Sequence, residues 1–195
     1  NVMFTWINNA LAGVALAALA ACVTPSGYAT TRSASVLGGA LKIEVPAGYC
    51  IDRSAGRAGP DSAVVLMGRC SDSSSANAAL LSVSVGESGS GGVMAAGAPA
   101  LAAFFTSEQG RATLSRDGKP DEIRIVQALS DKDTFLLDVD DQSIGEYWRA
   151  VTEINGRLIT VSATGSAGVP LPAEDGRKII DAMLRALRRA NSLNG

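Results

Sequence analysis

The dipeptide Asn155-Gly156 lies between two strand-like runs, 146–154 and 157–164. A two-residue hairpin loop needs positive φ at both central positions, and Asn-Gly supplies it at little cost. The flanking runs are therefore expected to pair as antiparallel neighbours. This is the strongest local signal in the chain, and it commits the C-terminal half to an antiparallel sheet.

Other runs join that sheet. Residues 41–45 (LKIEV) alternate and stop at Pro46, and 79–85 (ALLSVSV) end in alternation. Residues 63–68 (AVVLMG) form a continuous apolar run of the kind found in buried strands. Strand-like patterns also cover 111–115, 123–129 and 134–139, with a turn at 116–120 (RDGKP). Two segments read as helices. Residues 99–109 begin with Pro99, carry Leu101, Phe104 and Phe105, and stop at Gly110. Residues 172–190 carry an apolar stripe of Ile179, Ile180, Met183, Leu184 and Leu187. Acidic residues stand at the start of that helix and Arg185, Arg188 and Arg189 at its end, as the helix dipole favours. The fold class is α+β: an antiparallel sheet with a long C-terminal helix and one shorter helix packed on it, both expected on one face. This order of elements resembles the Mog1/PsbP-type domains, a group of small sheet-and-helix binding domains. The resemblance is topological and assigns no functional residue.

Composition narrows the chemistry. Apolar residues make up 47% and charged residues 18%, enough to bury a core, while aromatics at 5% leave aliphatic side chains to fill it. The formal net charge of -2 argues against nucleic acid as a partner. There is no histidine, which excludes Ser-His-Asp and Cys-His hydrolases and His-ligated zinc enzymes. None of Lys42, Lys119, Lys132 and Lys178 lies three residues after a serine, so the S-x-x-K arrangement is absent too.

The N-terminal segment speaks to address. Residues 10–21 (ALAGVALAALAA) are apolar, uncharged and too short to span a bilayer core of ~30 Å alone. Leu19-Ala20-Ala21-Cys22 follows at once. This tetrapeptide resembles the bacterial lipobox, in which the cysteine thiol receives a diacylglyceryl group and the signal is cut just before it. The resemblance implies a signal peptide over 1–21, a lipid on Cys22 and attachment to a membrane. It also implies an envelope location facing the periplasm. The absence of an aspartate at Val23 favours the outer membrane. Residues 1–9 carry no Lys or Arg and the chain does not begin with Met, so the start is expected upstream. The alternative is an uncleaved membrane helix over 3–23. Residues 22–40 then read as a flexible tether, with Ser, Thr, Gly and Ala throughout, and 41–195 as a single domain.

With Cys22 lipidated, Cys50 and Cys70 remain as an even pair. In an oxidising compartment they are expected to form a disulfide around a segment floppy without one, the alternative being two buried free thiols. Two cysteines without histidine do not make a metal site, and no cofactor is implied. The glycine-rich stretch 86–97 (GESGSGGVMAAG) lacks the Gly-Lys-Ser/Thr ending of a phosphate loop and reads as a mobile surface loop. Asp131, Asp133, Asp138, Asp140 and Asp141 lack the spacing of a calcium loop and read as solvated turn carboxylates. Tyr147 and Trp148, adjacent in a strand, must face opposite sides of the sheet; either both pack under covering helices or loops, or one packs in the core and the other is available as a partner surface. The arginines at 185–189 suit the helix dipole, and anionic lipid headgroups are a second possible contact. The expectation is a non-catalytic envelope domain that binds an unknown envelope protein. The alternatives are a small-molecule or lipid-binding module with an apolar pocket between sheet and helix, and an enzyme working without histidine.

Overall fold

Asn155 and Gly156 adopt φ of 52° and 73°, and Ile154 pairs with Arg157 across the turn they make. The computed structural model describes residues 31–192. Nine strands and three helices are seen among them. Strands β1 (Ser33–Val36) and β2 (Leu41–Glu44) form a separate two-stranded hairpin. The other seven are β3 (Tyr49–Ala58), β4 (Ala63–Arg69), β5 (Ala79–Val85), β6 (Ile123–Asp131), β7 (Thr134–Asp141), β8 (Gly145–Ile154) and β9 (Arg157–Gly165). They form one antiparallel sheet in the order β3-β4-β5-β9-β8-β7-β6. The helices are α1 (Gly97–Thr106), α2 (Glu108–Leu114) and α3 (Ala173–Asn191). None of the described helices is long and apolar enough to cross a membrane.

The α+β class stands, but the helices occupy opposite faces of the sheet, not one. The stripe of α3, Ile179 to Leu187, packs with Leu41 and Ile43 of β2 onto Leu81, Val83, Val161, Ala150 and Trp148. On the other face α1 and α2 set Leu101 and Leu114 against Phe135, Leu137, Val139, Tyr147 and Val151. Strands β7 and β8 are covered on both sides, so neither shows an apolar/polar alternation that would mark a single inner face. Two cores result, and together they hold every buried apolar residue of β5, β7, β8 and β9.

Three segments depart from the reading of the sequence. Residues 111–115 are not a strand, because Arg111 to Leu114 belong to α2. Ser107 makes the difference. Its hydroxyl donates to the Phe104 carbonyl at 2.6 Å and accepts from the Gly110 amide at 3.1 Å, ending one helix and starting the next. Gly110 is therefore no terminator. It sits where a Cβ would lie 1.9 Å from the Phe104 oxygen, so only glycine lets the helices meet. Secondly, the segment between the cysteines is stapled and also strand-forming over Tyr49–Ala58. The pairing shifts between Asp52 and Gly56, where the Asp52 carboxylate accepts from the Ser54 and Ala55 amides. That bulge erases the alternation by which a strand is recognised. Thirdly, strand β1 lies inside the stretch assigned to the tether, paired from Ser33↔Glu44 to Val36↔Leu41. Its small polar residues suit a linker and an edge hairpin equally well.

Candidate functional site

Tyr147 and Trp148 do face opposite sides of the sheet, but neither is a surface. They are 2% and 5% exposed, one in each core, because both faces of β8 are covered. Trp148 lies under the first turn of α3, where a Cβ on Gly176 would approach its ring to 3.3 Å, and the Arg177 guanidinium stands 5.2 Å from the ring centre. The proposed partner surface at Tyr147 and Trp148 is therefore corrected to packing.

The acidic residues scatter. Asp133 pairs with Arg188, Asp140 with Arg124 at 2.7 Å, and Asp141 accepts from the Ser143 amide and hydroxyl. Alternation along β7 sends Asp138 and Asp141 to opposite faces. No three His, Cys, Asp or Glu side chains among the described residues are placed to hold a metal ion. Asp138 is no solvated turn carboxylate. Nor is Asp141, which is 2% exposed; Asp138 is 6% exposed and its Oδ1 has no hydrogen-bond partner among the described residues. Burial pushes its pKa up to about 6, with Glu146 and Asp140 adding like charge.

The glycine-rich stretch is tied down. The Ser90 hydroxyl accepts from the Leu158 amide at 2.9 Å, the Gly91 amide donates to the Gly156 carbonyl at 3.1 Å, and Ser90–Ala96 turn as a 3₁₀ helix. It braces the β8–β9 hairpin. Beside it, a crevice of ≈ 450 Å³ runs between α1 and the β6–β7 turn, with Met94, Leu101 and Phe135 as its floor and Lys132 and Glu153 at its rim. At the end of α3, Arg188 is held by Asp133 and Thr134.

Cys50 and Cys70 are joined in a disulfide. The bond borders the one large sheet surface that no described helix covers. Helices α1 and α2 sit over β6, β7 and β8 and the 3₁₀ turn at Ser90–Ala96 over the start of β9, leaving the rest of that face of β9 and the same face of β5, β4 and β3 open. Strand register composes that face in transverse rows. One row runs Arg149, Ser162, Ser82, Leu66, Asp52, each residue opposite the next. The row above is Val151, Thr160, Ser84, Val64, Arg57. Below, Thr164 stands opposite Leu80, and Gly68 opposite Cys50. Leu66 and Leu80 are 37% and 53% exposed. A shallow groove of ≈ 350 Å³ lies between them, Gly68 and the disulfide. At the margin next to the helices, Arg149 is held in place. Its Nε donates to the Ser162 hydroxyl at 3.0 Å, and its guanidinium lies 5.5 Å from the Tyr147 ring centre. The face is thus a plane of hydroxyls with two leucines on one side and a fixed guanidinium on the other. It is suited to contact and offers no nucleophile-base pair.

Sequence reasoning found β4, β5 and β9 of this face but neither β3 nor the face itself. It depends on β9 returning to lie between β5 and β8, which no local pattern encodes. The serines and threonines at every second position of β5 and β9 are the signal that was available.

The chain matches no family model, and no curated protein matches it. Among solved structures it is similar to a point mutant of the protein Mog1, at 13% sequence identity and a TM-score of 0.44, over 81% of this chain and 93% of that one. At that distance no function or residue role transfers.

Proposed function

We propose that this chain is a bacterial envelope lipoprotein, anchored through Cys22 at the outer membrane and facing the periplasm. Its folded domain is a non-catalytic module that binds an envelope protein. The observation that carries the binding role is the open half-face of the sheet, with Leu66 and Leu80 exposed side by side on a flat, hydroxyl-lined surface. Exposed apolar side chains grouped on a flat surface are what protein interfaces use. The Cys50–Cys70 disulfide supports an oxidising compartment. The Leu19-Ala20-Ala21-Cys22 sequence supports the anchor; Cys22 lies outside the described residues.

The test is a photo-crosslinking amino acid placed at Leu80 in cells, with a control at Val169, a comparably exposed residue in the loop after β9. A discrete crosslinked envelope protein at position 80 and none at 169 is the expected result. The same products at both positions, or none at either, would overturn the reading. A small-molecule module is the second reading, favoured by the ≈ 450 Å³ crevice between α1 and the sheet. Binding of an environment-sensitive apolar dye, lost on Leu101→Glu but not on Leu80→Glu, would favour it instead.

A further inference from the structure

We infer that the open sheet face recognises a carboxylate, carried by an acidic side chain on an aliphatic segment of the partner protein, with Arg149 as its anchor. The inference rests on the docking role proposed above and names the chemistry of what docks.

Arg149 is the one cation at the inner margin of the face, and it is only partly exposed. Its Nε is committed to Ser162 and its plane lies against Tyr147, so the guanidinium has a set orientation. The two terminal nitrogens make no hydrogen bond to any described residue, and no carboxylate of a described residue lies within ion-pair distance. A partly desolvated guanidinium without an anion is costly, and its paired terminal donors match the two oxygens of a carboxylate.

The charges around it do not satisfy that need. Asp141 shares this side of the sheet and spends its Oδ1 on Ser143. Asp52 lies at the far end of the same row, four strands away or roughly 19 Å at the usual strand spacing. Its carboxylate is occupied by Ser54 and Ala55. Leu80 stands two strands over and one row down from Arg149, roughly 12 Å away by the same spacings. An extended segment advances roughly 3.4 Å per residue, so side chains four residues apart on one side span this gap. One end of such a segment brings a leucine to the Leu66–Leu80 groove, and the other brings a carboxylate to Arg149. The hydroxyl of Ser82 lies beneath the middle.

The probe is a blocked five-residue peptide with leucine first and glutamate last, compared with the same peptide ending in glutamine. Both are titrated into the full domain by NMR. The glutamate peptide is expected to move the Arg149 Nε–H signal and the Leu66 and Leu80 methyl signals, and to bind at least five-fold more tightly. Arg149→Gln removes that preference, and Arg149→Lys keeps part of it. Equal affinities for the two peptides, with the leucine methyls still moving, would overturn the carboxylate assignment and leave the docking face standing. An Arg149 signal that neither peptide moves would overturn it as well. Failure of the docking face itself is read separately, by the loss of crosslinking at Leu80.

Discussion

Asn191, the last residue of α3, holds Lys42 of β2 by both of its backbone groups. Its Nδ2 donates to the Lys42 carbonyl at 2.8 Å and its Oδ1 accepts from the Lys42 amide at 2.9 Å. The carboxamide thus acts as a third strand for a hairpin that is not part of the main sheet. The same Nδ2 also donates to the Leu187 carbonyl. Asn191→Ala leaves the Lys42 groups without their partner and is expected to cost about 1–3 kcal/mol. Urea unfolding measures the loss, and amide exchange should quicken at Lys42 and Ile43 before it does in β5 or β9.

Gly110→Ala is expected to be among the most damaging single changes. A Cβ there meets the Phe104 carbonyl carbon at 2.6 Å as well as its oxygen, and backbone cannot swing aside as a side chain can. The α1–α2 corner must open, which loosens Leu101 and Leu114 over the second core. We expect a loss of roughly 3 kcal/mol or more, the range of severe core disruptions. Thermal unfolding measures it, and a variant within about 0.5 kcal/mol of the parent would show that the corner adapts.

Asp138 makes stability depend on pH in a direction opposite to that of most carboxylates. Its ordinary value is 3.8 and the folded chain raises it to about 6. The folded state therefore holds the proton more tightly than the unfolded chain. This contribution is complete below pH ~4 and is lost as pH rises through ~6, on the order of 2 kcal/mol in all. Asp138→Asn is neutral at every pH and should be more stable than the parent at pH 7, with the advantage gone by pH 4. Melting temperatures of the two proteins across that range decide it. An advantage that grows on acidification would reverse the assignment.

Reduction of Cys50–Cys70 opens a loop of sequence separation 20. The chain-entropy relation gives a loss of roughly 3 kcal/mol for a loop of this length. The disulfide also clamps the start of edge strand β3, so loss of protection should begin at Tyr49 to Asp52. Hydrogen exchange with and without reductant, and a Cys50→Ala/Cys70→Ala variant, report both effects.

Much of the architecture was legible in local pattern. The Asn155-Gly156 turn and the α3 stripe each follow from a rule that needs only neighbouring residues, and the cysteine pair follows from counting. What escaped depends on partners far away in sequence. Strand β3 hides behind the bulge at Asp52, and α2 is set by a single serine cap. The burial of both Tyr147 and Trp148 requires knowing that helices cover both faces of β8. The open face escaped for the same reason, since its rows are written across β8, β9, β5, β4 and β3.

That double covering makes β8 a ruler for the whole fold. In a sheet with one wet side, a slip of one residue trades apolar for polar side chains in a single core. Here, a slip of β8 would drive Arg149 and Glu153 beneath α3 and send Ala150 and Thr152 under α1, spoiling two cores at once. Misaligned chains are thus penalised on both sides of the sheet, and the Asn155-Gly156 turn next to β8 fixes its alignment with β9.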